Sequence, residues 1–303
     1  MNCNLCPRQC NIDRAECNGF CGVDGIVLSR VAPHMWEEPP ISGTKGSGTV
    51  FFAGCNLRCR FCQNYDITVK PHGVAVTPQR LADVFLYLCD TGVANINLVT
   101  AAQVSDKVAE ALALVKHKLT LPVVYNTSSY ETVDAIRRLD GLVDVYLPDL
   151  KFCDSELSKR FANAPDYFDV ATAAIAEMKR QQPTNVYDGD GYIERGLILR
   201  HLVLPAHVED TKRVLDWVVH FCPTTTVSLM SQYFVARHDD KYTELNRKLY
   251  KREYEAARQY FFNVGLSSGF CQDPSSATVD YLPDFVDGDV SDLLNIVPHV
   301  IDK

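Results

Sequence analysis

The sequence predicts an α/β fold, a partial TIM-like (β/α)6 barrel behind a small cysteine-rich N-terminal extension. Three observations lead there. Beyond residue 48, apolar runs of strand length alternate with segments of helical period, the pattern of βαβ units with right-handed crossovers and a parallel sheet. Polar residues fall just after the predicted strands, where parallel barrels keep their chemistry. Eight of the twelve cysteines lie within the first 62 residues, in two groups.

Gly48 to Ala53 (GTVFFA) reads as a buried strand entering a cysteine loop. Thr77-Pro78 supplies an N-cap and a proline at the first helical position, and Leu81, Val84, Phe85 and Leu88 follow at helical spacing. Residues 95–99 (NINLV) form the next strand, and 104–117 a helix with Val104, Val108, Leu112 and Val115 on one face. Further strands are predicted at 122–125, 143–147, 197–204 and 226–230, and helices at 130–139, 154–163, 167–181, 209–221 and 243–263. The reading divides the chain into a metal-binding segment (1–47), a barrel (48–272) and a surface tail (273–303).

Of 303 residues, 47% are hydrophobic and 22% charged, ordinary globular composition. The net charge of -8 disfavours a broad nucleic-acid surface, which needs a basic field. The N-terminus lacks a signal-peptide core, and no apolar run approaches the roughly 20 residues of a membrane span. A cytoplasmic protein off the membrane is expected. Its thiols are then reduced, so metal or cluster ligation is favoured over disulfides. The scattered Cys89, Cys153, Cys222 and Cys271 read as small buried hydrophobes.

Residues 54–64 (GCNLRCRFCQN) carry Cys55-x3-Cys59-x2-Cys62. Three thiolates leave one iron of a [4Fe-4S] cube without a protein ligand, open to the amino nitrogen and carboxylate of S-adenosylmethionine (SAM). The spacing, with Phe61 just before the third cysteine, resembles the radical SAM signature, and it follows an apolar strand as that signature requires. The competing reading is a zinc site that borrows a fourth ligand such as His72.

The chain further resembles the radical SAM proteins related to pyruvate formate-lyase activating enzyme, within them a branch with a cysteine-rich N-terminus. The matching stretches are CNLCPRQC at 3–10, EEPPISGTKGSGTVFFAGCNLRCRFCQN at 37–64, NINLVT at 95–100, VVYNTSSYE at 123–131, YLPDLKF at 146–152, LILRHLVLP at 197–205 and LMSQY at 229–233. The resemblance implies a partial barrel with SAM in its mouth. It places Asp149 and Lys151 near the SAM amino-acid moiety, with Asn126 and Thr127, Arg200, and Gln232 with Tyr233 approaching from other strands. A zwitterion needs a cation for its carboxylate (Lys151 or Arg200) and acceptors for its ammonium (Asp149). Without the resemblance, Asp149–Lys151 would read as a solvated loop pair, Arg200 as a structural ion pair and Asn126–Ser129 as a helix cap. Thr100-Ala101-Ala102-Gln103 stands where many relatives carry Gly-Gly-Glu, so Thr100 is the substitute contact.

Cys3, Cys6, Cys10, Cys17 and Cys21 occupy 19 residues too polar to build a core, so a metal should order them. The resemblance makes Cys3, Cys6, Cys10 and Cys21 the ligands and Cys17 the extra thiol. An auxiliary [4Fe-4S] cluster and a structural zinc both fit. His34, Glu37 and Glu38 either line the pocket or tie this segment to the barrel.

The expected function is reductive cleavage of SAM to a 5′-deoxyadenosyl radical, which abstracts hydrogen from a protein or peptide as glycyl-radical activases do. A low-potential donor such as flavodoxin or ferredoxin would reduce the cluster. The rival readings are a small metabolite or nucleic-acid base as substrate, and a non-catalytic iron-sulfur electron-transfer or sensor protein.

Overall fold

A computed structural model describes residues 2–266, 268–272, 285 and 290–301. The strands in chain order are β1 (Ile26–His34), β2 (Ser47–Phe52), β3 (Val74–Val76), β4 (Ile96–Val99), β5 (Val123–Thr127), β6 (Val145–Pro148), β7 (Val186–Tyr187), β8 (Ile193–Leu202), β9 (Thr226–Met230) and β10 (Gly269–Cys271). They form one sheet in the order β10-β9-β8-β6-β5-β4-β2-β1-β3, with β7 paired to β8. Every neighbour pair from β2 round to β10 is parallel. Among the described residues no pairing joins β10 to β3, so the sheet is a partial barrel with an open side.

Strand alternation decides what faces where. On β5 and β8 the outward Tyr125, Leu197 and Leu199 join the main core, shared with the flanking helices Pro78–Cys89 and Tyr167–Gln181. The intervening Val124 and Ile198 face inward, where Ile41 packs with them and with Val145, Leu147 and Ile193. Ile41 belongs to a short helix, Pro39–Ser42. The stretch 37–42 therefore enters the barrel and fills its interior beneath the polar ends of the strands. Tyr192 secures its exit, its hydroxyl accepting from Thr44 N (3.0 Å) and Lys45 N (3.2 Å).

The predicted units appear with modest shifts. Thr77 caps Pro78–Cys89 by accepting from Arg80 N at 3.1 Å. The helix expected at 130–139 shrinks to Val133–Arg137. Thr132 is its cap, whereas Ser129 sits at φ 63 and Tyr130 is buried with its hydroxyl on Asp166 (2.7 Å). The helix expected at 243–263 divides into a turn, Thr243–Asn246, and the helix Lys251–Asn263. Glu253 decides the start, accepting from Tyr250 N (2.9 Å), Ala206 N (2.8 Å) and Arg247 (2.7 Å). The sequence reading did not include β1, which pairs antiparallel with β2, nor β3, which pairs with β1. Most of the predicted tail, 273–303, lies outside the described residues. Its helix Val290–Ile296 docks on Pro78–Cys89, where Asp83 accepts from Val300 N (2.9 Å) and Ile301 N (3.0 Å).

Candidate active site

Cys55, Cys59 and Cys62 lie on the loop that leaves β2 and line one end of a cavity of about 240 Å³. Gly54 turns the chain into this loop at φ 77, a conformation glycine takes at little cost. Phe61 packs edge-on against Phe152 and holds the loop to the barrel rim. Burial pushes the Cys55 thiol up to about 11 and raises those of Cys59 and Cys62. Thiols in so apolar a place become thiolates when cationic iron compensates the charge. Three such thiols at the end of one cavity fit a [4Fe-4S] cluster with one iron free. Among the described residues no three Cys, His, Asp or Glu side chains close around a single metal ion.

A charged layer lines the same cavity, with Lys151 and Asp149 within electrostatic reach of Cys59. Asp149, just past β6, accepts from Lys151 Nζ at 2.5 Å and from Arg200 Nε at 2.8 Å. Arg200, on β8, also donates to Glu37 Oε2 (3.2 Å) and to Asn126 Oδ1 (2.5 Å). Glu37 Oε1 accepts from Asn97 (3.1 Å) and Asn126 (3.2 Å). Burial pushes the Asp149 carboxyl up, but Arg200 and Lys151 together outweigh it and hold it below its ordinary value. For Glu37 and Glu38 burial prevails over Arg200, and both are raised. The Asp149–Lys151 pair is thus a largely buried bridge on the cavity wall and no solvated loop. Arg200 does pair with a neighbouring acid, and it does so inside the cavity.

Phe61, Thr100, Asn126, Thr127, Asp149, Lys151, Arg200 and Gln232, read from the sequence as cofactor contacts, all line this one cavity with the three cysteines. Tyr233 does not. It is buried, with its hydroxyl donating to Leu245 O at 2.6 Å. Thr100 takes a left-handed φ of 62, unusual for a β-branched residue. Gln103 grips its carbonyl at 2.7 Å and Ala53 O at 3.0 Å, tying the loop after β4 to the cysteine loop. Sequence reasoning missed Gln63, Asn64 and Thr68, which also line the cavity; Thr68 Oγ1 lies 3.4 Å from Cys62 Sγ. Their closeness in sequence to Cys62 was the available signal. His34, Glu37 and Glu38 do line the cavity, as one of their two readings has it, and Trp36, Phe234 and Gln272 join the wall from segments with no motif.

Residues 49–192 match the model of the radical SAM superfamily. An uncharacterized protein of Methanocaldococcus jannaschii, MJ0674, is 30% identical over 264 residues, covering 84% of this chain and 73% of its own. The chain belongs to the radical SAM superfamily. It is an enzyme of the class that uses a [4Fe-4S] cluster and SAM. Among solved structures, a domain of pyruvate-formate lyase-activating enzyme from Bacteroides vulgatus is 12% identical, with a TM-score of 0.40 over 56% of this chain and 91% of that one. Streptococcus suis SuiB bound to SAM is 13% identical, with a TM-score of 0.46 over 77% of this chain and 52% of that one.

In this radical SAM enzyme the N-terminal segment docks on the back of the cysteine loop. Arg8 lies over the Phe20 ring at 4.0 Å and donates to Asn56 O (2.7 Å) and Asn163 O (2.6 Å). Arg58 donates to Phe20 O, and Cys55 N donates to Cys21 O at 3.3 Å. Cys6 and Cys21 are buried, whereas Cys17 is exposed. Burial raises the Cys6 thiol to about 11, and the nearby Cys21 and Cys10 add to that effect. A Cβ at Gly54 would stand 2.6 Å from Cys21 O. Gly54→Ala should therefore lower stability by about 1–3 kcal/mol and reduce iron uptake by Cys55, Cys59 and Cys62. Denaturant unfolding and iron analysis check this, and unchanged stability would mean that the contact does not hold the loop. Among the described residues no helix is long and apolar enough to cross a membrane.

Proposed function

We propose that this enzyme cleaves SAM reductively and uses the resulting 5′-deoxyadenosyl radical to abstract hydrogen from a polar organic substrate held between the cysteine loop and Glu37–Glu38. The observation that carries the reading is one cavity lined both by the three thiols and by the charged layer of Glu37, Asp149, Lys151 and Arg200. When bound, the cluster and SAM supply the electron and the radical precursor. The chain's residues bind, orient and shield. Lys151 keeps two donors free after its bond to Asp149 and suits the SAM carboxylate, while Asp149 holds it in place. Phe51, Val99 and Leu202 add apolar wall, which keeps a radical away from bulk solvent. Asn126 and Arg200 are locked by their partners, so the layer below is rigid.

A polypeptide substrate is the second reading. It is favoured by Met35 and Trp36, 42% and 51% exposed, beside the cavity wall to which Trp36 contributes. A glycine segment, however, would leave the charged layer without a matching group. For the N-terminal cysteines, the closeness of Cys10 and Cys21 to Cys6, behind the cysteine loop, supports a metal site with Cys3 as the remaining ligand, formed when the metal draws the four thiols together. The reductant is proposed to be a low-potential flavodoxin or ferredoxin.

The deciding experiment is anaerobic reconstitution with iron and sulfide, followed by SAM and dithionite. Formation of 5′-deoxyadenosine is expected, with roughly eight irons per chain if the N-terminal site holds a second cluster and roughly four if it holds zinc. A loaded protein that neither binds nor cleaves SAM would overturn the reading in favour of an electron-transfer or sensor protein.

A further inference from the structure

Lys151 reaches the cavity from a stretch whose backbone is pinned from outside the barrel. The Tyr167 hydroxyl, buried at the start of the helix Tyr167–Gln181, accepts from Lys151 N at 2.9 Å. The same oxygen lies 2.8 Å from Ser128 O and 2.9 Å from Asp149 O, and its one proton is shared between these two carbonyls. One phenol thus joins the loops that follow β5 and β6. His201, buried on β8, holds the residue between, with Nδ1 2.6 Å from Leu150 O. A carbonyl only accepts, so Nδ1 carries the proton and Nε2 accepts from Thr211 Oγ1 at 2.9 Å. Burial pushes the His201 pKa down to about 4, which keeps the ring neutral and in that tautomer.

The packing of the rings converges on the same place. Tyr167 stacks on Tyr130 at 6.1 Å between centroids and meets Phe152 edge-on at 5.6 Å. Phe152 in turn packs on Phe61 of the cysteine loop, and Asn56 of that loop donates to Tyr130 O at 2.6 Å. Tyr167 is therefore where the loops after β2, β5 and β6 meet, although neither it nor His201 is part of the cavity wall. Without the phenol oxygen, the Lys151 N–H would be left unpaired in the core, which is costly. The loop relieves that cost by moving, and Lys151 moves with it. A misplacement of about 1 Å in a positioned group costs up to about 100-fold in what it does.

We propose that Tyr167 and His201 are positioning residues for Lys151: they fix the backbone of Asp149-Leu150-Lys151 and so aim the Lys151 ammonium at the carboxylate of SAM. The proposal rests on the reading of Lys151 as the partner of that carboxylate, which a Lys151 variant tests by itself.

The test compares reconstituted wild type, Tyr167→Phe, Lys151→Met, the double variant and Tyr146→Phe, matched for iron content. SAM affinity is measured by calorimetry without reductant. Tyr146→Phe is the control, because it loses an equally buried hydroxyl that bonds to Gln181 at 2.5 Å. Tyr167→Phe should weaken SAM about tenfold, and Tyr146→Phe by less than about twofold. Because Tyr167 acts through Lys151, the double variant should bind SAM within about twofold of Lys151→Met, whereas a general loosening of the fold would add the two losses. Unaltered SAM affinity in Tyr167→Phe, an equal loss in Tyr146→Phe, or additive losses in the double variant overturns the proposal. If Tyr167→Phe fails to fold or load iron, Thr211→Val, which frees His201 Nε2, takes its place with an expected weakening of about threefold; no change overturns the proposal. Unchanged SAM affinity in Lys151→Met would sink the reading of Lys151 and the proposal with it, whereas failure in the Tyr167 variants alone leaves that reading standing.

Discussion

Cys59→Ala should lower 5′-deoxyadenosine formation more than about a hundredfold, to the level of cluster-free protein. Removing an outer-shell partner of a metal ligand already costs about 10–100-fold, and here a residue proposed as a ligand itself goes. Two thiolates cannot retain a four-iron cube against loss of iron. The fold should survive, because Cys59 is only partly buried and lies on the cavity wall. It packs at the margin of the core rather than in it. The apo variant should therefore melt near the apo wild type while the reconstituted variant binds less iron. Chromatography, iron analysis and thermal unfolding check the three parts. Wild-type turnover in this variant would refute the assignment of Cys55, Cys59 and Cys62.

Arg200→Met has the largest expected effect on stability. It leaves Glu37, Glu38 and Asp149 in the barrel interior with Lys151 as the remaining cation, bonded to Asp149. Breaking a buried pair on one side costs about 3–5 kcal/mol, or roughly 10 °C in Tm for a chain of this size. The loss should depend on pH. Glu37 and Glu38 are raised by burial even with Arg200 opposing, and without it they rise further. A carboxyl whose folded pKa exceeds its unfolded value carries no penalty below the unfolded value. It loses stability as pH rises through the folded one. The gap between variant and wild type should therefore be wider at pH 8 than at pH 5.5. Thermal unfolding of the apo proteins at both values tests this, and an equal gap would show that the acids are not what Arg200 holds.

The same layer explains why a chain with a strong cysteine signature carries its distinguishing chemistry elsewhere. The thiol loop is common to the superfamily. Residues 37–42, which fill the barrel interior, bring Glu37 and Glu38 to the Asp149, Lys151 and Arg200 of the strands.

Much was determined by local sequence. The Cys55-x3-Cys59-x2-Cys62 loop predicts its cluster because ligand number and spacing are properties of a short stretch. Thr77-Pro78 predicts a helix start because a cap acts within one turn. The strand–helix alternation of 48–272 predicts the parallel sheet because each strand shows its burial in its own residues. What lay further apart only the tertiary structure decided. Arg200, Asp149 and Lys151 meet because β6 and β8 are neighbours although about fifty positions separate them in sequence. Glu37 reaches Arg200 across 163 positions because Ile41 has an apolar interior to fill. β1 escaped because its nine residues lie among cysteines and polar residues and gain strand form from pairing with β2. Charge pairing and antiparallel register come from partners distant along the chain, and no local pattern encodes which partner that is.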